Sequence, residues 1–410
     1  MNVLQITAWD TPGERFNGSL IHRALLERGH RSAMIVRTKR GGDPTVFEAG
    51  TRLTRIVDNQ ILVPLERRLS LQHLLPVSGS TLYFSRAYRD SEIVHLQLIH
   101  ASPFFSLANL PIIGRRRTLV WTIHDPWMMT GHCIHPGGCE RWRIGCGECP
   151  DLDRAQGMRR DLTSTMWKIK RSIVRRSRAT LVVGSRYMRD LLASSPILSA
   201  LPCRVIPFGV PTDTFRPRDR SAARSRLGLP DDADVIAFRF RGVDEPHKGG
   251  GVLVEALRAL EPKRPTILLV IEGGAGLSPL AGKYRIVDLG WIASPSELAG
   301  VYSAADLFVM PSTAEAFGMM AVEAMACAVP VIVCDGTALP EVVHAPDGGT
   351  SVEQGEPAAL ARAIAGLLAS PAERRELGRR AAVLAREHYS IDGYVTRHLE
   401  LYQELLESAS

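Results

Sequence analysis

The sequence predicts an α/β protein made of two doubly wound parallel sheets. Short runs rich in Val, Ile and Leu recur with little polar alternation, as strands covered on both faces require. Helix-period segments separate these runs, so βα units repeat through both halves of the chain. At 410 residues the chain is long enough for two or three domains, each with its own core.

In the first half, strands are expected over residues 3–6, 33–36, 93–96, 119–123, 181–184 and 204–208. The first strand leads into Leu20, Ile21, Ala24 and Leu25, a helical stripe that Gly29 stops. Residues 61–75 are rich in Leu and interrupted by Pro64, and periodicity assigns them no role. From Met158 to Val174, Met158, Leu162, Met166, Ile169 and Ile173 recur every three or four residues. Basic residues, Lys168, Lys170, Arg171 and Arg175 among them, occupy the other faces, as on a helix that lies on an anionic bilayer or one that simply solvates a charged face. Residues 206–217, with three prolines and a glycine, read as a linker. Strands follow over 234–240, 266–271, 285–290, 306–310 and 330–334. The predicted division is therefore 1–207 and 208–389, with residues 390–410 forming a helix that returns to the first domain.

Composition narrows the function. Apolar residues make up 45% of the chain, yet no uninterrupted run reaches the roughly 18–20 residues of a membrane span. Residues 1–6 begin at once with strand-forming side chains and carry no secretory apolar core. Seven cysteines without a repeating framework suit a reduced, cytoplasmic setting. Residues 1–200 hold 29 Lys and Arg against 16 Asp and Glu, whereas 201–410 hold 21 against 27. The net +7 is thus +13 and −6, and the basic half suits an anionic partner such as a phosphate ligand or a membrane surface. No nucleic-acid motif accompanies the basic helix, where Trp167 is the one interleaved aromatic, so nucleic acid is not expected as a partner.

Ligands of doubly wound sheets bind beyond the carboxyl ends of the strands. After the strand at 306–310 comes PSTAEAFG and then a helix beginning at Met319. Glu315 precedes that helix and Glu323 lies within it. The helix start offers free N–H groups for a diphosphate, and the two carboxylates can accept from sugar hydroxyls.

The run EAFGMMAVEAMACAVPVIVCDGTALPEVV resembles the E-x7-E signature and its continuation in family 4 of the retaining glycosyltransferases. DEPHKGGGVLVEAL is similar to that family's donor-phosphate motif, and LGWIASPSELAGVYSAADLFVMPS to its base-binding loop and the stretch beyond. TIHDPWMMTGHCIHPGGCERWRIGCGECP resembles a subgroup that builds bacterial surface polysaccharides. The resemblance implies the GT-B fold, two Rossmann-like domains facing across a cleft, the second binding a nucleotide-diphosphate sugar and the first a saccharide or polyprenyl-linked acceptor. By the same resemblance, Lys248 with Arg241 or Arg239 neutralises the leaving diphosphate, and Glu315 holds the donor sugar. Glu323 holds the ribose, while Phe317, Gly318 and Met319 offer backbone N–H groups to phosphate. Gly290, Trp291 and Ile292 flank the base, and His124 faces the donor sugar. Asn17 and Gly18 stand where the family has Gly-Gly, and Ala328 replaces a further family glycine. No organic cofactor is implied.

Cys133, Cys139, Cys146 and Cys149 fall within 17 residues, enough for a tetrahedral structural zinc, with free thiols or redox pairs as the alternative. The expected activity is sugar transfer onto a surface-polysaccharide precursor at the cytoplasmic membrane face. A sugar-nucleotide epimerase of the same fold and a non-catalytic nucleotide-sugar binder are the rival readings.

Overall fold

A computed structural model of the chain describes residues 1–11, 16–153, 156–242, 245–274 and 276–408. It divides into two compact units, Met1–Ile206 with the chain from Tyr394 onward, and Pro207–Gly393.

The first unit is built on a seven-stranded, wholly parallel sheet. Its strands are β1 (Asn2–Trp9), β2 (Arg31–Thr38), β3 (Val46–Glu48), β4 (Ile93–Leu96), β5 (Thr118–Thr122), β6 (Thr180–Val183) and β7 (Cys203–Val205). They run in the order β3-β2-β1-β4-β5-β6-β7. The order reverses beside β1, where Val3 pairs with Ser32 on one side and Ile93 on the other. Such a reversal opens a crevice beyond the strand ends. The helix Ile391–Glu407 packs on this unit: Tyr402 OH lies 2.6 Å from His95 Nδ1, and the His398 ring stacks on His95 at 5.5 Å.

The second unit carries β8 (Asp234–Arg239), β9 (Thr266–Ile271), β10 (Arg285–Asp288), β11 (Leu307–Met310), β12 (Val331–Cys334) and β13 (Thr350–Val352). Their order is β10-β9-β8-β11-β12-β13, again all parallel, with the reversal between β8 and β11. Phe238, Leu257, Leu268, Val309 and Ile364 are among the side chains that close its core. At the opposite strand ends a buried charge cluster pins helices to the sheet. Asp306 accepts from Arg224 at 2.6 Å, from Arg374 at 3.0 Å and from the Val235 N–H at 2.8 Å.

Three expectations need correction. The edge strands β3 and β13 were not expected; at three residues each they are too short to carry a periodic pattern. The basic helix spans Thr163–Val174, not Met158 onward, and Lys170 is not on a solvated face. Its ammonium is buried, donating to the carbonyls of Trp127 (2.8 Å) and Thr130 (3.0 Å) and lying 3.9 Å from the Trp127 ring centre. Finally, Pro64 interrupts nothing. Arg52–Val57, the π turn Asp58–Leu62 and Val63–Leu69 follow one another as a continuous helical rod. The wider i→i+5 turn just before Pro64 takes up the missing N–H and the ring.

Candidate active site

In the second unit the charged residues singled out above gather at the carboxyl ends of β8, β9 and β11. Arg239 ends β8 and pairs with Glu272, which follows β9. Its guanidinium stands 5.7 Å from the ring centre of Trp291, whose indole is 66% exposed. Arg241 Nε lies 3.2 Å from Glu245 and 4.0 Å from Glu272. Two arginines thus converge on one carboxylate, and Arg239 also stands over the Trp291 face.

Lys248 comes from a 3-10 turn, Pro246–Lys248, and its Nζ lies 3.2 Å from Glu315 Oε2. Gly249 makes this meeting possible. It sits at φ +67°, and a Cβ there would fall 2.0 Å from the Pro311 carbonyl oxygen. The His247 carbonyl accepts from Thr313 N–H (3.0 Å), tying the lysine turn to the loop after β11. On the far side of that loop the Ala338 N–H donates to the Glu315 carbonyl at 3.1 Å.

Gly318, at φ +100°, is the N-cap of the helix Met319–Ala326 and brings no side chain of its own to cap the N–H groups. A Cβ on Gly318 would meet Leu339 at 2.4 Å. The helix therefore begins with backbone donors and the positive end of its dipole, a combination that suits an anion. Glu323, on the same helix, is fully buried and accepts from the Tyr302 hydroxyl at 3.2 Å. Phe317 turns its ring inward, edge-on to Phe208 (5.1 Å) and Tyr389 (5.6 Å), leaving its backbone as its polar face. Gly290 N–H donates to Asp288 at 3.0 Å, which shapes the turn that presents Trp291 and Ile292.

In the first unit the polar residues thread the sheet itself. His124 Nε2 lies 3.1 Å from Gln97 Oε1, Gln97 Nε2 donates to Gln5 Oε1 at 3.3 Å, and His95 Nε2 lies 2.7 Å from the Thr122 hydroxyl. Burial pushes His124 down to about 4, opposed by Asp125, so the ring is neutral at pH 7. Asn17 is buried and its amide donates to the carbonyls of Trp9 and Asp10, both at 2.9 Å, so the side chain shapes the turn after β1. Gly18 sits at φ +91°, and a Cβ there would come 2.9 Å from Gln5.

Sequence reasoning missed Tyr302, which holds Glu323, and the pair formed by His100 and Asp125 at 2.8 Å. Burial works against the Asp125 charge, but His100 and the Trp127 N–H outweigh it and hold the carboxyl below its usual range. Polar residues inside otherwise apolar strands (Gln5, His95, Thr122) were the available signal.

The zinc expectation is not met: among the described residues no group of three or more His, Cys, Asp or Glu is placed to hold a metal ion. All seven cysteines are thiols. Cys146 Sγ accepts from the Gly131 N–H at 3.2 Å, and Cys149 Sγ lies 3.3 Å from both His132 Nε2 and the Asp151 carbonyl. Burial raises the Cys146 thiol to about 11, which keeps it protonated.

Residues 20–214 match the family model Glycosyltransferase Family 4, and residues 219–383 match Glycosyl transferases group 1. Among curated relatives, a D-inositol 3-phosphate glycosyltransferase of Segniliparus rotundus is 38% identical over 186 residues, 43% of this chain and 41% of the relative. One from Acidothermus cellulolyticus is 36% identical over 239 residues, 54% and 51% of the two chains. The chain thus spans about half the length of the curated relatives it matches. Sucrose-phosphate synthase from Thermosynechococcus elongatus shares the fold over 100% of this chain and 99% of its own, at a TM-score of 0.69 and 21% identity. Anabaena Alr3699/HepE, solved with UDP and glucose, does so over 98% and 99%, at 0.67 and 19%. The chain is thus a glycosyltransferase of the GT-B fold, with a Family 4 domain followed by a group 1 domain.

Proposed function

We propose that the protein transfers a sugar, with retention of anomeric configuration, from a nucleotide-diphosphate sugar to a hydroxyl of a saccharide acceptor. The observation that carries this reading is the 3.2 Å pair of Lys248 and Glu315 beside the uncapped start of the helix at Met319. A cation and a row of N–H groups suit a departing diphosphate, whose negative charge grows as the bond to the sugar breaks. Glu315 suits a donor-sugar hydroxyl, and displacement of Lys248 from Glu315 toward phosphate would leave that carboxylate ready to accept. Arg239 and Arg241 add positive charge at the neighbouring strand end, and Trp291 offers an aromatic face for the base.

In this reading the anomeric C–O bond to phosphate breaks and the acceptor oxygen bonds to the same face. Its proton passes to the leaving phosphate oxygen, so no protein base is required. The first unit, Met1–Ile206 with the chain from Tyr394 onward, takes the acceptor, and Pro207–Gly393 takes the donor. His124, neutral and held by Gln97, serves as a hydrogen-bonding group and not as an acid. The acceptor is a lipid-linked saccharide of surface-polysaccharide assembly, met at the cytoplasmic face of the membrane. The names of the curated relatives favour a second acceptor, a phosphorylated cyclitol, which the basic first half also suits.

Thermal unfolding against a panel of nucleotide sugars tests the donor site. At about 100 times its Kd a bound donor stabilises by about 2.7 kcal/mol. One nucleotide class should shift the wild type but neither Lys248→Ala nor Glu315→Ala. The reading fails if that class shifts both variants as it does the wild type. Product analysis with lipid-linked saccharide, inositol phosphate or no acceptor then separates the two acceptors from an epimerase, which turns over on donor alone.

A further inference from the structure

The helical rod over residues 52–69 is amphipathic the wrong way round for a domain surface. Its two acids point inward: Asp58 accepts from the N–H groups of Val77 (2.8 Å) and Ser78 (2.9 Å), and Glu66 from those of Leu74 (2.5 Å) and Leu75 (2.8 Å). Its large apolar side chains point outward. Leu53, Ile56, Ile61, Leu65 and Leu69 are each 40–69% exposed, and in the segment that follows Phe84 is 84% exposed. Scattered exposed apolar residues are ordinary, but five on one rod form a stripe. An α-helix drifts by about 40° for every four residues, which would carry Leu69 well away from Leu53. The π turn at Asp58–Leu62 winds more slowly and holds the stripe closer to one line.

The charges left outside are positive. Arg52, Arg67 and Arg68 are exposed on the rod, Arg55 pairs with Glu48, and Arg37 donates to Asn59. With its own acids buried against backbone donors, the rod presents apolar side chains flanked by guanidinium groups. It does so within the half of the chain that carries a balance of +13.

We propose that residues 52–69 dock the first unit on an anionic lipid bilayer, Leu53, Ile61 and Leu65 entering the headgroup–acyl boundary and Arg52, Arg67 and Arg68 meeting lipid phosphates. Apolar insertion alone would not select a bilayer over another protein; the arginine flanks and the absence of an exposed acid among the rod's own residues do. The dock replaces the helix Thr163–Val174 as the membrane-facing element, because that helix spends its Trp167 and Lys170 on the interior. It gives the proposed lipid-linked acceptor a surface, and it rests on that reading for its purpose only.

The test is sedimentation of the full chain with phosphatidylcholine vesicles containing or lacking a quarter phosphatidylglycerol, at low and high salt. Wild type should bind the anionic vesicles at least tenfold more tightly than the neutral ones and lose binding as salt rises. Ile61→Ser with Leu65→Ser should lower binding at least tenfold, and Arg67→Gln with Arg68→Gln several-fold, with melting temperatures unchanged because these side chains are exposed. Equal binding to both vesicles, or none, overturns the dock. So does a wild type that self-associates in analytical ultracentrifugation while the Ile61→Ser, Leu65→Ser variant is monomeric, which would make the stripe a protein interface. Donor-induced thermal shifts on the same preparations keep the two readings apart: a failed dock leaves those shifts intact, and a failed donor site leaves vesicle binding intact.

Discussion

The two sheets have the same winding, yet they place their polar residues in opposite ways. In the second unit the strands are apolar, and charge collects either in the Asp306 cluster at one end or around Lys248, Arg239 and Glu315 at the other. In the first unit Gln5, His95 and Thr122 lie within the strands; Gln5 and His95 reach Tyr402 of the last helix, and Gln5 continues through Gln97 to His124. The second arrangement separates folding from ligand chemistry. The first merges them, because the groups that reach the crevice are part of the buried layer. A buried, fully bonded network fixes a unique geometry, and each of its members becomes costly to charge or to remove.

The largest expected consequence is acid lability confined to the first unit. Burial holds His73 at about 3 and His124 and His398 at about 4, with His95 also well below its ordinary range. All four are neutral in the folded unit. Between those values and about 6.5 the unfolded chain binds more protons, so stability rises with pH there and is lost as pH falls from 6.5 toward 4. A depression of this size corresponds to on the order of 3 kcal/mol for His124 alone. Hydrogen exchange followed from pH 7 to 4.5 should show β1, β4 and β5 opening before β8, β9 and β11. Uniform opening of both sheets would break the contrast.

Next in size is Gly249→Ala, which sharpens the contrast from the other side. Its Cβ would lie 2.0 Å from the Pro311 carbonyl at a φ of +67°, so either the fold pays or the Lys248 turn moves. We expect a loss of about 2–4 kcal/mol on thermal unfolding, or a smaller loss with donor binding abolished. Gly251→Ala, with nothing within 4 Å of its Cβ, is the control and should be neutral or stabilising by about 0.5–1 kcal/mol. Equal effects of the two substitutions would show that the close approach to Pro311 does not govern the turn.

The same contrast explains what could be read from the residues. The central strands, the repeated βα units and the acid-flanked helix at Met319 were legible because each writes a local pattern: a β-branched run, a helical period, a Glu on either side of a helix start. Two kinds of feature were not. Edge strands such as Thr350–Val352 owe their existence to a neighbouring strand and have no periodicity of their own. Long-range polar partnerships, such as His95 with Tyr402 across 307 positions, leave only a misplaced polar residue in an apolar run. The rod at 52–69 was illegible for a third reason. Its apolar residues face outward, so the usual inference from apolar stripe to core fails there.

Tyr302→Phe removes one hydrogen bond from Glu323 inside the second unit. A carboxylate that loses a donor while fully buried costs about 1–3 kcal/mol, and thermal unfolding at pH 7 should record it. If the ribose also depends on the Glu323 geometry, the donor-induced shift falls with it; an unchanged melting temperature would mean that the Tyr302 hydroxyl does not hold the carboxylate.

Lys248→Ala should have the smallest effect on folding. Its partner Glu315 is partly exposed and the lysine more so, and a solvent-screened pair of this kind contributes at most about 1 kcal/mol. Glu315, freed of its cation, remains within reach of water. The substitution should therefore leave the melting temperature of the ligand-free protein within about 2–4 °C of wild type while removing the donor-induced shift. That dissociation of stability from ligand binding is what the apolar second sheet permits. At His124 it should not occur: His124→Ala strips a partner from Gln97 inside the buried network and should lower the melting temperature whether or not a donor is present. A Lys248 variant as unstable as the His124 variant would place the lysine in the fabric of the fold and deny the second unit its separation of roles.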